Sequence, residues 1–165
     1  MTNNTVNQSV FNANDRPMNA TDSITYESDY YGWIQQQVKL LKAGQLTELD
    51  LEHLIEEIEG LGASQRAALV NQIARLYLHL LKWQHQPQRR SRSWELSIQN
   101  ARIEIEELLE DNPSFQPWLA TAVAKGYAKA RKQAAAETRL AIDTFPIAPP
   151  FDFAQAMTIE IDGIG

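Results

Sequence analysis

Three stretches of the chain gather the side chains able to do chemistry. The first, ELDLEHLIEEIEG at residues 48–60, concentrates carboxylates. Glu52, Glu56 and Glu59 share one helical face, because steps of three and four residues return to the same side, with Glu57 and His53 beside them. Such a set either holds a metal ion or forms an acid/base pair, or it is a solvated face with acids placed favourably at a helix N-terminus. The Glu-x-x-His repeat of ferritin-like di-metal sites is missing. Asp50-x-x-His53 comes nearest, and Asp50 reads as a helix cap. The second stretch, HLLKWQHQPQRRSRSW at residues 79–94, gathers Lys82, Arg89, Arg90 and Arg92 with Trp83, His85 and Trp94. Guanidinium groups fork onto phosphates and stack on aromatic rings, and helix N-termini attract anions. This corner is therefore either an anion site or a hinge whose arginines clamp acids such as Glu56, Glu57 or Glu59. The third is a stripe of Lys125, Lys129 and Lys132 following Trp118. It suits a nucleic acid, a membrane or an acidic partner, or it is the solvated back of a buried helix.

No residue is assigned a catalytic role, and no metal or cofactor is expected. The chain has no cysteine, which removes disulfides, thiolate metal sites and thiol nucleophiles. It lacks the Gly-x-Ser-x-Gly elbow, the Walker loop, the Gly-x-Gly-x-x-Gly fingerprint and the His-Glu-x-x-His zinc helix. A carboxylate–metal hydrolase built on Glu56, Glu59 and His79 or His85 stays open only if those groups meet in space. The 165 residues suffice for one domain with a real core. No apolar run approaches the roughly 18 to 20 residues of a membrane span, and the polar start lacks a secretory pattern, so the expected location is the cytoplasm, away from membranes.

Proline placement fixes the elements that must carry these residues. None occurs between Met18 and Gln86, Gln88 and Asn112, or Trp118 and Phe145, which leaves three blocks free to be helical. Strand alternation and hairpin turns are poor, so the expected fold is all-α: a single compact bundle of about five helices. A disordered leader covers 1–25, the helical domain 26–153, and an irregular tail 154–165. The first helix is predicted over Asp29–Ala43, capped by Ser28, stopped by Gly44 and apolar along Tyr30, Trp33, Ile34, Val38 and Leu41. A second begins after Asp50 with a stripe of Leu51, Leu54, Ile55, Ile58 and Leu61. Gly60 and Gly62 either close it or let it run into a third helix, capped by Ser64 and ending at His85. A fourth starts near Ser91 or Ser93 and stops at Asn112, with Leu96 and Ile103 opposite its main face for a second neighbour. A fifth runs from Pro117 to about Arg139, burying Ala122, Gly126, Tyr127, Ala130 and Ala134. Beyond Pro146 at most a short helix is expected, pinned by Phe145, Phe151 and Phe153.

Four segments in order, YESDYYGWIQQQVKLLKAGQLTELD, LEHLIEEIEGLG, HLLKWQHQPQRRSRSW and DNPSF with the later ETRLAIDTFP, resemble the bacterial, largely cyanobacterial family catalogued as domain of unknown function 29. The likeness covers about residues 25–152. It implies a helical fold and no assigned activity. It also groups Glu56 and Glu57 with Lys82, Trp83, Arg89, Arg90, Ser91, Ser93 and Trp94 as parts of one design.

The net charge of −6 hides segregation. Residues 45–62 carry six acids and no Lys or Arg, and 104–111 carry five acids and none. Residues 82–102 and 118–139 each hold five bases against one acid. The leading expectation is a cytoplasmic interaction module that binds an unidentified protein partner, as a monomer or a homo-oligomer. Nucleic-acid or phosphate binding through Arg89–Trp94 stands second, and the metal-dependent hydrolase third.

Overall fold

A computed structural model of the protein describes residues 24–161. Most of the expected leader, and residues 162–165 of the tail, lie outside the described residues. Five α-helices are present among them: α1 Tyr30–Ala43, α2 Leu51–His85, α3 Arg92–Asp111, α4 Leu119–Thr138 and α5 Phe153–Thr158, joined by short 3₁₀ turns. The fold is all-α. The described chain divides into two compact units between Leu54 and Ile55, inside α2.

In the first unit α1 is capped by Asp29, whose carboxylate accepts the Gly32 amide at 2.9 Å. The expected cap, Ser28, instead trades hydrogen bonds with Thr25 in the preceding turn. Gly44 ends the helix at φ 69°, a left-handed conformation that suits glycine. Trp33, Gln37 and Leu40 are the buried positions of α1, whereas Val38 and Leu41, expected on that stripe, are exposed. Gln37 explains the difference: its Oε1 accepts the Asp50 amide at 2.9 Å, so a polar residue occupies a core position. The Asp50 carboxylate accepts from Trp33 Nε1 at 3.0 Å and meets His53 Nδ1 at 2.7 Å, while Tyr26 stacks on the imidazole at 4.1 Å. One carboxylate thus orients two rings and starts α2 through the His53 amide.

The second unit is built on the C-terminal half of α2. Gly60 and Gly62 do not end that helix: of the two alternatives the longer helix is the one present, and the stretches before and after Ser64 form a single helix of 35 residues. Leu69, Ile73, Leu76, Tyr77, Leu80 and Leu81 are fully buried with Ile98, Ala101 and Ile105 of α3 and Ala122, Ala130 and Ala134 of α4. The small residues of α4 allow close approach: a Cβ on Gly126 would lie 2.6 Å from Ile73 Cγ2 and 3.1 Å from the Val70 carbonyl. Ser91 caps α3 as expected, accepting the Trp94 amide. Leu96 and Ile103, expected to meet a second neighbour, are exposed. The irregular segment after α4 is held by buried polar anchors as well as by Phe145, which is buried, and the partly buried Phe151 and Phe153. Tyr127 donates to the Pro146 carbonyl at 2.6 Å, Arg131 to that of Phe145 at 2.9 Å, and Tyr77 to that of Phe151 at 3.0 Å. Burial pushes the Tyr77 phenol up to about 12, so it stays a donor. Residue 154, where the tail was expected to begin, falls inside α5. Arg102 of α3 donates to that helix's C-terminal carbonyls, Ala156 at 2.9 Å and Ile159 at 2.8 Å.

Two predictions follow from these contacts. Gly126→Ala should lower the unfolding free energy by about 1–3 kcal/mol, the range for overpacking against a stiff β-branched neighbour. Gly60→Ala, where nothing lies within 4 Å of the added methyl, should raise it by up to about 1 kcal/mol. Urea unfolding of both variants checks this, and a Gly126→Ala protein as stable as the parent would refute the close approach. The hydrogen bond to Asp50 raises the His53 pKa above 6.5, with the Asp50 and Glu27 charges adding to it. A pKa raised on folding stabilises the unit below about pH 6.5, and that stabilisation is lost as pH rises through the folded value. Asp50 is lowered by the same bond, so its contribution is present above 3.8 and lost as pH falls through its depressed value. NMR titration should place the His53 midpoint above 6.5 and Asp50→Asn should bring it down; an unmoved midpoint would rule out the dyad as the cause.

Candidate functional site

The arginine corner is largely engaged within the chain. Lys82 is buried, with Nζ 2.6 Å from Glu137 and 4.5 Å from the centre of the Trp94 ring. Arg90 lies over Trp83 at 5.3 Å and donates to the Trp83 carbonyl at 3.0 Å. Arg92 pairs with Glu95 one turn along α3 at 2.7 Å. Arg89 is exposed on the connecting 3₁₀ turn. His85 sets its ring edge-on to Phe145 at 5.0 Å, and burial lowers its pKa. His79 meets the Arg75 carbonyl at 2.9 Å and is likewise lowered by burial. Both imidazoles are therefore held toward the neutral form as packing groups.

The helix that carries the acids also decides what they can reach. Glu56 and His79 stand 23 residues apart on α2, about 35 Å at 1.5 Å per residue. The arginines follow the far end of the same helix, and Trp83, against which Arg90 packs, is about 36 Å along it from Glu59 and further from Glu56 and Glu57. Within one chain, then, neither a Glu56–Glu59–His79 metal centre nor a clamp from Arg89, Arg90 or Arg92 onto these acids can form. Among the described residues no group of three or more His, Asp or Glu side chains is placed to hold a metal ion. The acids of α2 instead border a hollow lined by Glu56, Glu59, Gly60, Gly62, Ala63 and Arg66.

The basic stripe is brought together with residues that the sequence reading did not single out. Lys125 lies 5.8 Å from the Trp118 ring centre, and Lys129 donates to Asn71 of α2 at 2.7 Å. Arg66, on the same helix as Asn71, faces the groove that these lysines line, and the cleft encloses about 370 Å³. Lys132, one turn further along α4, is exposed and outside it. Arg66 was missed because it is an isolated base in a small-residue stretch. Its position seven residues after Glu59 would have placed it on that acid's side of the helix, two turns further along.

The most unusual surface is on α2 itself. Residues 58–67 are all exposed. Ile55 is 56%, Ile58 66% and Leu61 68% accessible, within about 120° of the helix circumference. The amphipathic pattern read from the sequence is present, but none of the described residues of this unit covers it.

No curated protein and no solved structure matches the chain. The family described as domain of unknown function DUF29 matches residues 25–161, which takes in all five helices and every surface described above. The chain belongs to that family.

Proposed function

We propose that the protein is a cytoplasmic helical interaction module that docks a macromolecular partner on the apolar face of α2, acting as a monomer or as a homodimer. The carrying observation is the stripe of Ile55, Ile58 and Leu61, each more than half exposed along a helix that extends beyond its own core contacts. An uncovered helical segment is marginal in water, and full burial of a Leu or Ile side chain contributes about 1.5–3 kcal/mol. A surface of this kind gains most from a second apolar face. No helix among the described residues is long and apolar enough to cross a membrane. In a comparison of the full chain with Ile58→Glu, light scattering and mass spectrometry of captured proteins should show an association that the variant loses. Circular dichroism should stay unchanged, because Ile58 is outside the core. Equal association by both proteins would remove this face from the reading.

A second reading, binding of nucleic acid or phosphate, is favoured by the α2–α4 groove. There Arg66, Lys125 and Lys129 surround one concavity with Trp118 available for stacking. The engaged cations of the arginine corner are poorer candidates for the same role. Affinity for a single-stranded oligonucleotide should fall steeply with added salt. Arg66→Glu with Lys125→Glu should weaken it at least tenfold, whereas Arg89→Glu should change it less than twofold. Salt-independent binding, or none at low salt, would dismiss this reading.

A further inference from the structure

We infer that the occupant of the α2 face is a second copy of this chain, crossing antiparallel with its two-fold axis close to Gly62 and Ala63. The inference rests on the docking reading above and adds the partner and the register. Its first support is charge self-complementarity. Advancing about 100° per residue, Glu59 and Arg66 fall only about 20° apart, on the same flank of the Ile55–Ile58–Leu61 stripe. In an antiparallel pair of helices each flank faces the same flank of the other copy. A two-fold axis midway between residues 59 and 66 therefore sets Glu59 of each chain opposite Arg66 of the other. One register thus makes two symmetric ion pairs, and it is a closed, self-complementary contact. Neither Glu59 nor Arg66 forms an ion pair among the described residues.

The second support is Gly62. It lies about 40° from Ile58 around the helix, inside the apolar arc, and no atom lies within 4 Å of the place a Cβ would occupy. A glycine inside a helix weakens it by roughly 1 kcal/mol relative to alanine. Contrast Gly126, where Ile73 and the Val70 carbonyl account for the missing side chain. At Gly62 no described residue does, while a second helix crossing there would meet bare backbone and could bring Ile58 and Leu61 of both copies into contact. The apolar arc, the matched charges and the bare position coincide within three turns of one helix.

The absence of cysteine from the chain allows a direct test on the full-length protein. Gly62→Cys should oxidise readily to a disulfide-linked dimer, because the two copies of residue 62 adjoin the axis. Ile55→Cys should not, since its two copies would lie about 20 Å apart along the crossing. Mixing Glu59→Cys with Arg66→Cys should give the heterologous cross-link in preference to either homologous one. Glu59→Arg or Arg66→Glu alone should weaken the dimer about tenfold by sedimentation equilibrium, and the two in one chain should restore it. A monomer at 100 µM by light scattering, or cross-linking in another register, would overturn the inference. If that monomer still captured an identified partner and lost it on Ile58→Glu, the docking face would stand with a different occupant. If Ile58→Glu changed nothing in either assay, both readings would fall together.

Discussion

The continuity of α2 is the constraint on which the rest depends. A helix is a ruler: about 1.5 Å per residue converts sequence distance into spatial distance and leaves no freedom to fold back. Once Gly60 and Gly62 fail to interrupt it, the acids near Glu56 and the cations after His85 are held far apart. The resemblance had grouped those two sets as one design. Any cooperation between them must run through another molecule or through the helix itself, which joins an uncovered apolar segment to a fully buried one. The same rule separates Glu56 from His79, so those two groups cannot share one centre within a single chain.

Charge segregation along the sequence suggested oppositely charged helices paired side by side. The contacts are more local. Arg92 answers Glu95 on its own helix, Arg131 reaches Asp143 just past the end of its own, and Lys82–Glu137 joins α2 to α4. Among the described residues no ion pair links the acids of α3 at Glu104, Glu106, Glu107 and Glu110 to the lysines of α4. Exposed charges of this kind contribute little to stability, so their distribution is under no strong demand from the fold. They act on encounter instead, through the fields they set up over the surface.

Much of the architecture was legible because it rests on chemistry local to a few residues. Proline marks the ends of α2 and α3, Ser91 caps α3 with its own hydroxyl, and the small residues of α4 announce close approach before any neighbour is known. What stayed hidden depends on partners distant in sequence. Gln37 occupies a core position of α1 because the Asp50 amide requires an acceptor there, and no periodicity of apolar residues can register that. Arg66 joins the groove of Lys125 and Lys129 only through the packing of α2 on α4.

The apolar stripe of α2 shows the limit most clearly. Ile55, Ile58 and Leu61 form as good an amphipathic pattern as Leu69, Ile73 and Leu76, yet the first set is exposed and the second fully buried. Periodicity records that a face seeks burial; it does not record what buries it. Among the described residues local preference and fold agree along the buried half of α2 and at the cap of α3. They part between residues 58 and 67, where apolar side chains meet water and glycines weaken a helix without any packing reason among the described residues. Sequences under selection for stability alone do not hold such combinations, and positions that break the local rules tend to be positions with a task. A glycine that weakens the free helix but admits a second one transfers part of the stability of α2 to the associated state. In the proposed dimer, folding of that segment and recognition of the second copy would become one equilibrium rather than two.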